Sequence, residues 1–229
     1  MLLPEITIRS HSSDQFVIDR VLYSNSYRIN RFIQDSTVVD VGAHIGSFSL
    51  ASIINGASKV YAFEPSQFNY RVLVKNLSEF SKDFSTFQIG VDSSSGFKAM
   101  SQPQTISSSF VEFSNLTINT KGDDYKSDMA YFVNLDEIIS MIEEEIYLLK
   151  ISVPGFESKL LNESRTLSKV RNLCFEMDCS KEESESISYD IKRKGAFKDV
   201  VVEKIGEKSY LFLFSKDDYS ICFSKYRTA

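Results

Sequence analysis

The chain has 229 residues, 42% of them hydrophobic and 25% charged, and its 26 Lys and Arg against 31 Asp and Glu give a formal net charge of −5. Those values suit one large α/β domain with a sizeable core, and they exclude a coiled coil, a collagen-like fibre and a mainly disordered chain. The acidic balance argues against affinity built on phosphate contacts, so no nucleic-acid partner is expected. In chain order, residues 14–34 read as a helix with a rough apolar stripe of Phe16, Val17, Val21, Leu22, Tyr27 and Phe32. Thr37–Val41 reads as a short buried strand, followed by a glycine turn and a helix from Ser47 that stops at Gly56. Lys59–Phe63 is a second strand, and Gln67–Leu77 a helix that Ser66 is placed to cap. Ser85–Val91 reads as a third strand.

Residues 93–134 break the pattern, being rich in Ser, Thr, Asn and Gln, and read as an irregular insertion with one or two edge strands. Its polar stretch Thr120–Asp128 reads as mobile. Alternation resumes with a helix at Leu135–Glu145, a strand at Ile146–Val153, a helix at Phe156–Ser168, a strand at Asn172–Met177 and a helix at Lys181–Lys194. Lys198–Ile205 and Ser209–Ser215 close the chain as two strands joined at Gly206-Glu207, a hairpin signal. Continuous apolar strands between helices predict a parallel sheet covered on both faces. The fold expected is therefore α/β: a doubly wound, Rossmann-like sheet of about seven strands with a C-terminal antiparallel hairpin. One domain over 1–229 is expected, with an N-terminal helical cap at 1–35 and the insertion at 93–134.

The N-terminus has no basic region or long apolar run, and no apolar stretch approaches the roughly 18 residues of a membrane span. A cytoplasmic protein with no membrane partner is expected. Cys174, Cys179 and Cys222 show no C-x-x-C spacing and read as reduced thiols, and with no His/Cys cluster no metal site is expected.

Open parallel sheets bind ligands at the carboxyl ends of their strands. The first strand ends Asp40-Val41-Gly42-Ala43-His44-Ile45-Gly46. The dinucleotide fingerprint would need glycine where His44 and Ser47 stand, and a phosphate loop would need a Gly-Lys-Ser/Thr that is absent. The second strand ends Phe63-Glu64-Pro65, which puts an acid at a strand tip where a carboxylate can accept both ribose hydroxyls. A ligand with a ribose, no phosphate and a positive centre suits two carboxylates beside a glycine bend. S-adenosylmethionine has those properties, its sulfonium attracted by Asp40.

The segments Asp40–Gly46, Tyr61–Pro65, Asn69-Tyr70 and Lys75-Asn76-Leu77, with Leu135-Asp136, Leu148–Ile151 and Gly155-Phe156-Glu157, resemble the FkbM family of S-adenosylmethionine-dependent methyltransferases. The resemblance spans about residues 14–205. It implies the seven-stranded methyltransferase sheet and O-methylation of a hydroxyl on a small metabolite or glycan. It also implies that Asp40, Gly42, His44 and Gly46 line the methionine side of the cofactor, that Glu64 holds the ribose, and that Ser66 or Gln67 and Asp92 lie near the adenine.

The family's later motif commonly reads Lys-Ile-Asp-Val-Glu-Gly, whereas this chain reads Lys150-Ile151-Ser152-Val153-Pro154-Gly155. Serine offers only a neutral hydrogen bond where an acid would accept a proton, and Pro154 stiffens the loop. Methyl transfer leans mainly on positioning, so an enzyme remains the leading expectation, with a catalytically degenerate cofactor- or partner-binding protein as the alternative. His44, Lys150 and Ser152 are the candidate catalytic groups. Each also has a plainer reading, His44 as a shaper of the turn and Lys150 as a strand-end lysine reaching solvent. Glu157 reads as a first-turn helix acid, Asp136 as a helix-capping residue, and Glu176 as a substrate contact or the partner of a lysine. Tyr23, Tyr27 and Phe110 are candidate pocket walls.

Overall fold

A computed structural model describes residues 5–29, 33–78, 80, 83–103 and 125–223. The seven-stranded sheet runs β3-β2-β1-β7-β8-β10-β9. Its strands are β1 (Thr37–Val41), β2 (Lys59–Phe63), β3 (Asp83–Phe87), β7 (Ile146–Ile151), β8 (Val170–Asp178), β9 (Asp199–Lys204) and β10 (Ser209–Ser215). β10 alone runs against the direction of the other strands, antiparallel to both β8 and β9, to the latter through the Gly206-Glu207 hairpin. The doubly wound sheet with its closing hairpin is thus the architecture found. β1 leads outward through β2 to β3 on one side, while β7 leads through β8 on the other, so the topological switch lies between β1 and β7.

Strand side chains alternate between two cores, as a period of two requires. One face carries Val38, Val60, Ala62, Leu148, Cys174 and Leu211 against α2 (Ser47–Ile54) and α3 (Gln67–Ser78). The other carries Val39, Val41, Phe63, Leu149, Ile151 and Phe175 against α4 (Leu135–Met141), α5 (Glu157–Glu163) and α6 (Lys181–Gly195). Phe175 and Phe212 stack at 4.6 Å across β8 and β10. α6 opens on a capping box: Glu183 N donates to Ser180 Oγ, and the Glu183 carboxylate accepts from Ser180 N. Among the described residues no helix is long and apolar enough to cross a membrane.

Two expectations change. The helix expected over 14–34 is only α1 (Asp14–Ile18) running into a π-helical turn, Asp19–Tyr23. Asn25 and Arg28 then take positive φ, and Asn25 bonds both main-chain groups of Ile29, which ends the helix. The strand expected at Ser85–Val91 is two: β3 stops at Phe87, and β4 (Gly90–Asp92) leaves for a second sheet. That sheet, β4-β6-β5, uses β5 (Gly96–Pro103) and β6 (Tyr125–Asn134), so the ends of the insertion are regular. Its connecting residues, with Phe110 and most of the stretch expected to be mobile, lie outside the described residues. α7 (Tyr219–Cys222) follows β10, and beyond it Phe223 forms a bridge with Ile29.

Candidate cofactor cleft

The turn after β1 is built on backbone that only certain residues accept. Gly42 has φ +73°, and a Cβ there would lie 1.9 Å from the Ser152 carbonyl oxygen, so glycine lets β1 pass the end of β7. Gly46, at φ +91°, begins α2 in the left-handed region. His44 shares that region at φ 53°. The N–H groups of Gly42 and Ala43 both donate to Phe63 O at 3.0 Å, which draws the turn over the end of β2.

Glu64 closes the same corner and is 4% exposed. Its Oε2 accepts from His44 N at 2.9 Å, and its Oε1 accepts from Ser66 N at 2.9 Å and Asn69 Nδ2 at 3.2 Å. Burial raises its pKa, opposed by those three donors. Ser66 Oγ stands 3.5 Å from Asn69 N at the start of α3. The structure therefore brings the strand-tip carboxylate and the glycine bend together. α3 contributes twice to this corner, since two turns after Asn69 the side chain of Asn76 donates to Ile45 O at 2.9 Å and Thr7 O at 3.1 Å. The i, i+7 spacing of Asn69 and Asn76 around the apolar Leu73 is the signal from which both could have been read.

Asp40 and Lys150 are register neighbours on β1 and β7. Asp40 is fully buried, accepting from Ser49 Oγ at 2.7 Å and Lys150 Nζ at 3.0 Å. The ammonium also reaches Gly42 O at 2.7 Å and Val41 O at 3.3 Å, and it lies 5.9 and 5.8 Å from the Tyr27 and Phe48 ring centres. Lys150 does not run out to solvent. Its ammonium donates to oxygens of Asp40, Val41 and Gly42, so it acts as a strut under the turn, with Asp40 as its counter-ion.

The N-terminal segment lies along the same edge. Arg9 donates to Asp14 from its main-chain N, Nε and Nη2, and Asp14 Oδ1 is 3.8 Å from His44 Nε2. Burial opposes ionisation of Asp14, but the Arg9 contacts outweigh it and hold the carboxyl below its ordinary range. Burial lowers the His44 pKa to about 4, so the imidazole is neutral at pH 7. The Tyr27 hydroxyl lies beside the Ser152 side chain, and Arg20 pairs with Glu176. Tyr27 packs edge-on against Phe48 as a core residue, whereas Tyr23 is 55% exposed.

The remaining acids have structural partners. Glu157 accepts from the Val153 and Gly155 amides at 3.0 Å each, and burial raises its pKa to about 7. The cap of α4 is Asn134 and not Asp136, because the Asn134 side chain accepts from Asp136 N. The Asp136 carboxylate instead gathers Ser164 Oγ, Arg165 N and both Thr166 donors. Asp92, at the end of β4, accepts from Lys98 Nζ and Ser93 N. Glu176 pairs with an arginine, not a lysine. A cavity of about 530 Å³ lies at the other end of the strands, among Asp35, Thr37, Lys59, Glu144 and Tyr147. It is a charged, open cleft in which Lys59 pairs with Glu144 at 2.6 Å.

Two buried polar atoms of the turn have no hydrogen-bond partner, His44 Nδ1 and Ser47 Oγ. Uncompensated polar atoms at the switch point of a parallel sheet suit a polar ligand seated there.

This sheet order and this glycine corner define a Rossmann-like methyltransferase fold. The chain belongs to the methyltransferase FkbM domain family, which it matches over residues 40–202. A crystal structure of methyltransferase FkbM from Methylobacillus flagellatus KT superposes with a TM-score of 0.51 at 14% identity, covering 91% of this chain and 56% of that one. The chain thus spans a little over half of that relative. An rRNA methylase from Streptococcus thermophilus (TM-score 0.47, 13% identity, 94% and 99% covered) is also similar. So is M. capricolum TrmK in complex with S-adenosylhomocysteine (TM-score 0.47, 13% identity, 86% and 69% covered). No curated protein matches the sequence.

Proposed function

We propose that the chain is an S-adenosylmethionine-dependent methyltransferase acting on a hydroxyl oxygen of a small metabolite or glycan. The observation that carries the reading is the hydrogen bond from the His44 main chain to the Glu64 carboxylate, which fixes an acid against the glycine turn. Glu64 Oε2 has one donor from the chain, leaving lone-pair capacity for ribose hydroxyls. Gly42 and Gly46 let the backbone approach the methionine portion, and His44 Nδ1 and Ser47 Oγ offer it polar partners. Ser66 and Asp92, in the segments after β2 and β3, serve the adenine edge. Asp40 acts on this site through Lys150, by setting the turn, and not by touching a sulfonium. The cofactor supplies a methyl group already activated on a cationic sulfur. The chain's part is then to hold the acceptor oxygen in line and keep water out.

Ser152 favours a second reading, a cofactor-binding protein without turnover, because its hydroxyl bears no charge and offers only a neutral hydrogen bond. Calorimetric titration with S-adenosylmethionine tests the site, and absence of binding at millimolar ligand overturns both readings. Glu64→Ala is expected to weaken binding by about 1.5–3 kcal/mol, the worth of a charge-assisted hydrogen bond. An affinity equal to the parent's would remove the ribose role. Methyl release against pooled sugars and metabolites separates enzyme from binder.

A further inference from the structure

Three residues form a row across the carboxyl edge of the sheet: Gly42 at the end of β1, Ser152 just past β7, and Glu176 on β8. Asp40 pairs with Lys150, and Lys150 with Cys174, so two residues further on the same alternation turns Ser152 and Glu176 to one face. Parallel strands lie about 4.8 Å apart, which sets Glu176 roughly two strand spacings from the glycine turn. The Tyr27 hydroxyl lies beside Ser152 and within the electrostatic reach of both Glu176 and Arg20.

The proton of an acceptor hydroxyl needs a base at this edge. Asp40 is taken up by Ser49 and Lys150, Asp14 by Arg9, and Glu157 by two loop amides. Glu176 differs. Its Oε2 is held by Arg20, while its Oε1 is buried and has no hydrogen-bond partner. Ser26 Oγ, beside Tyr27, is a second buried atom without one. A buried carboxylate oxygen lacking a donor is costly unless a ligand supplies the donor.

We infer that Glu176 is the catalytic base, accepting the acceptor's hydroxyl proton at Oε1 while Arg20 fixes Oε2. The inference rests on the methyl-transfer reading above. The acceptor O–H bond breaks and its proton passes to Oε1. The acceptor oxygen forms a bond to the methyl carbon of the sulfonium donor, and the electron pair of the broken C–S bond stays on sulfur as a neutral thioether. A carboxylate one strand over thus does the work that Ser152 cannot.

The test uses the full chain, its Glu176→Gln and Glu176→Asp variants, S-adenosylmethionine, and molar glycerol as the hydroxyl probe. Calorimetry measures donor binding, and S-adenosylhomocysteine formation measures transfer. Glu176→Gln is expected to bind the donor within about twofold of the parent yet form product at least about tenfold more slowly, with Glu176→Asp recovering part of the rate. Product formation by Glu176→Gln equal to the parent's, including none from either, overturns the assignment. Loss of donor binding by Glu176→Gln alone leaves the same comparison to Glu176→Asp. Failure of the parent itself to bind the donor overturns the methyl-transfer reading instead.

Discussion

At the scale of single residues, the corner after β1 depends on one hydrogen atom. Any Cβ at Gly42 would meet the Ser152 carbonyl at 1.9 Å, in a backbone region that other residues enter only under strain. Neither β1 nor β7 can retreat, since Ser152 N donates to Val41 O at 2.9 Å and the two strands are paired along their length. Gly42→Ala is expected to lose roughly 3–5 kcal/mol of stability, the range of severe backbone and packing conflicts. Urea unfolding measures it, and a loss below 1 kcal/mol would show that the turn can open. The acids and glycines of this corner are legible in sequence because they are local: Asp40, Gly42 and Gly46 lie within one strand and its turn, and Glu64 ends the next strand. The partners that define their roles are not. Lys150 reaches Asp40 across 110 positions, and the Arg20 to Glu176 pair spans 156. No periodicity encodes contacts of that range.

At the scale of elements, strand positions were readable wherever an apolar run was bounded by a helix or a glycine. It failed where one run served two sheets: Ser85–Val91 is continuous in composition, but the chain leaves the main sheet after Phe87, and only β6, some 40 residues later, gives β4 a partner. The helix over 14–34 failed because its apolar spacing persists through Ser24–Arg28, where local side-chain bonds and positive φ prevail over propensity. Asp136 makes an element-scale prediction. Its carboxylate ties α4 to the Ser164–Thr166 turn, which hands α5 on to β8 and hence to Glu176. Asp136→Ala leaves those donors without their acceptor and is expected to cost about 2–3 kcal/mol, read from the denaturation midpoint. A change under 0.5 kcal/mol would mean that water replaces the carboxylate freely.

Across the whole molecule, two buried groups set opposing responses to pH. Glu157 has its pKa raised by burial to about 7, so it favours the folded state while protonated, and that contribution is lost as pH rises from its ordinary 4.5 to about 7. His44, lowered by burial to about 4, favours the folded state while neutral, and its contribution is lost as pH falls from 6.5 towards 4. Each shift corresponds to at most about 3 kcal/mol. Between pH 4.5 and 6.5 the two slopes oppose, so these groups together leave the parent's stability nearly level. Glu157→Gln removes the falling limb, and its stability should climb with pH by about 1–3 kcal/mol over that interval. Urea midpoints at several pH values decide it, and parallel profiles for parent and variant would refute the account.

The π-helical turn at Asp19–Tyr23 ties these scales together. A π turn is an α-helix that has absorbed one surplus residue, and each residue of a helix advances the chain by about 100°. That surplus sets the phase between two anchors of the N-terminal segment, Asp14 upstream beside His44 and Tyr27 downstream against Phe48. Within the turn Val21 is buried in the core and Arg20 holds Glu176, so the register of the turn also aims these two side chains. Removing a single position would swing one anchor about a quarter-turn away from the other, so the length of this stretch is as much a part of the site as the residues it carries.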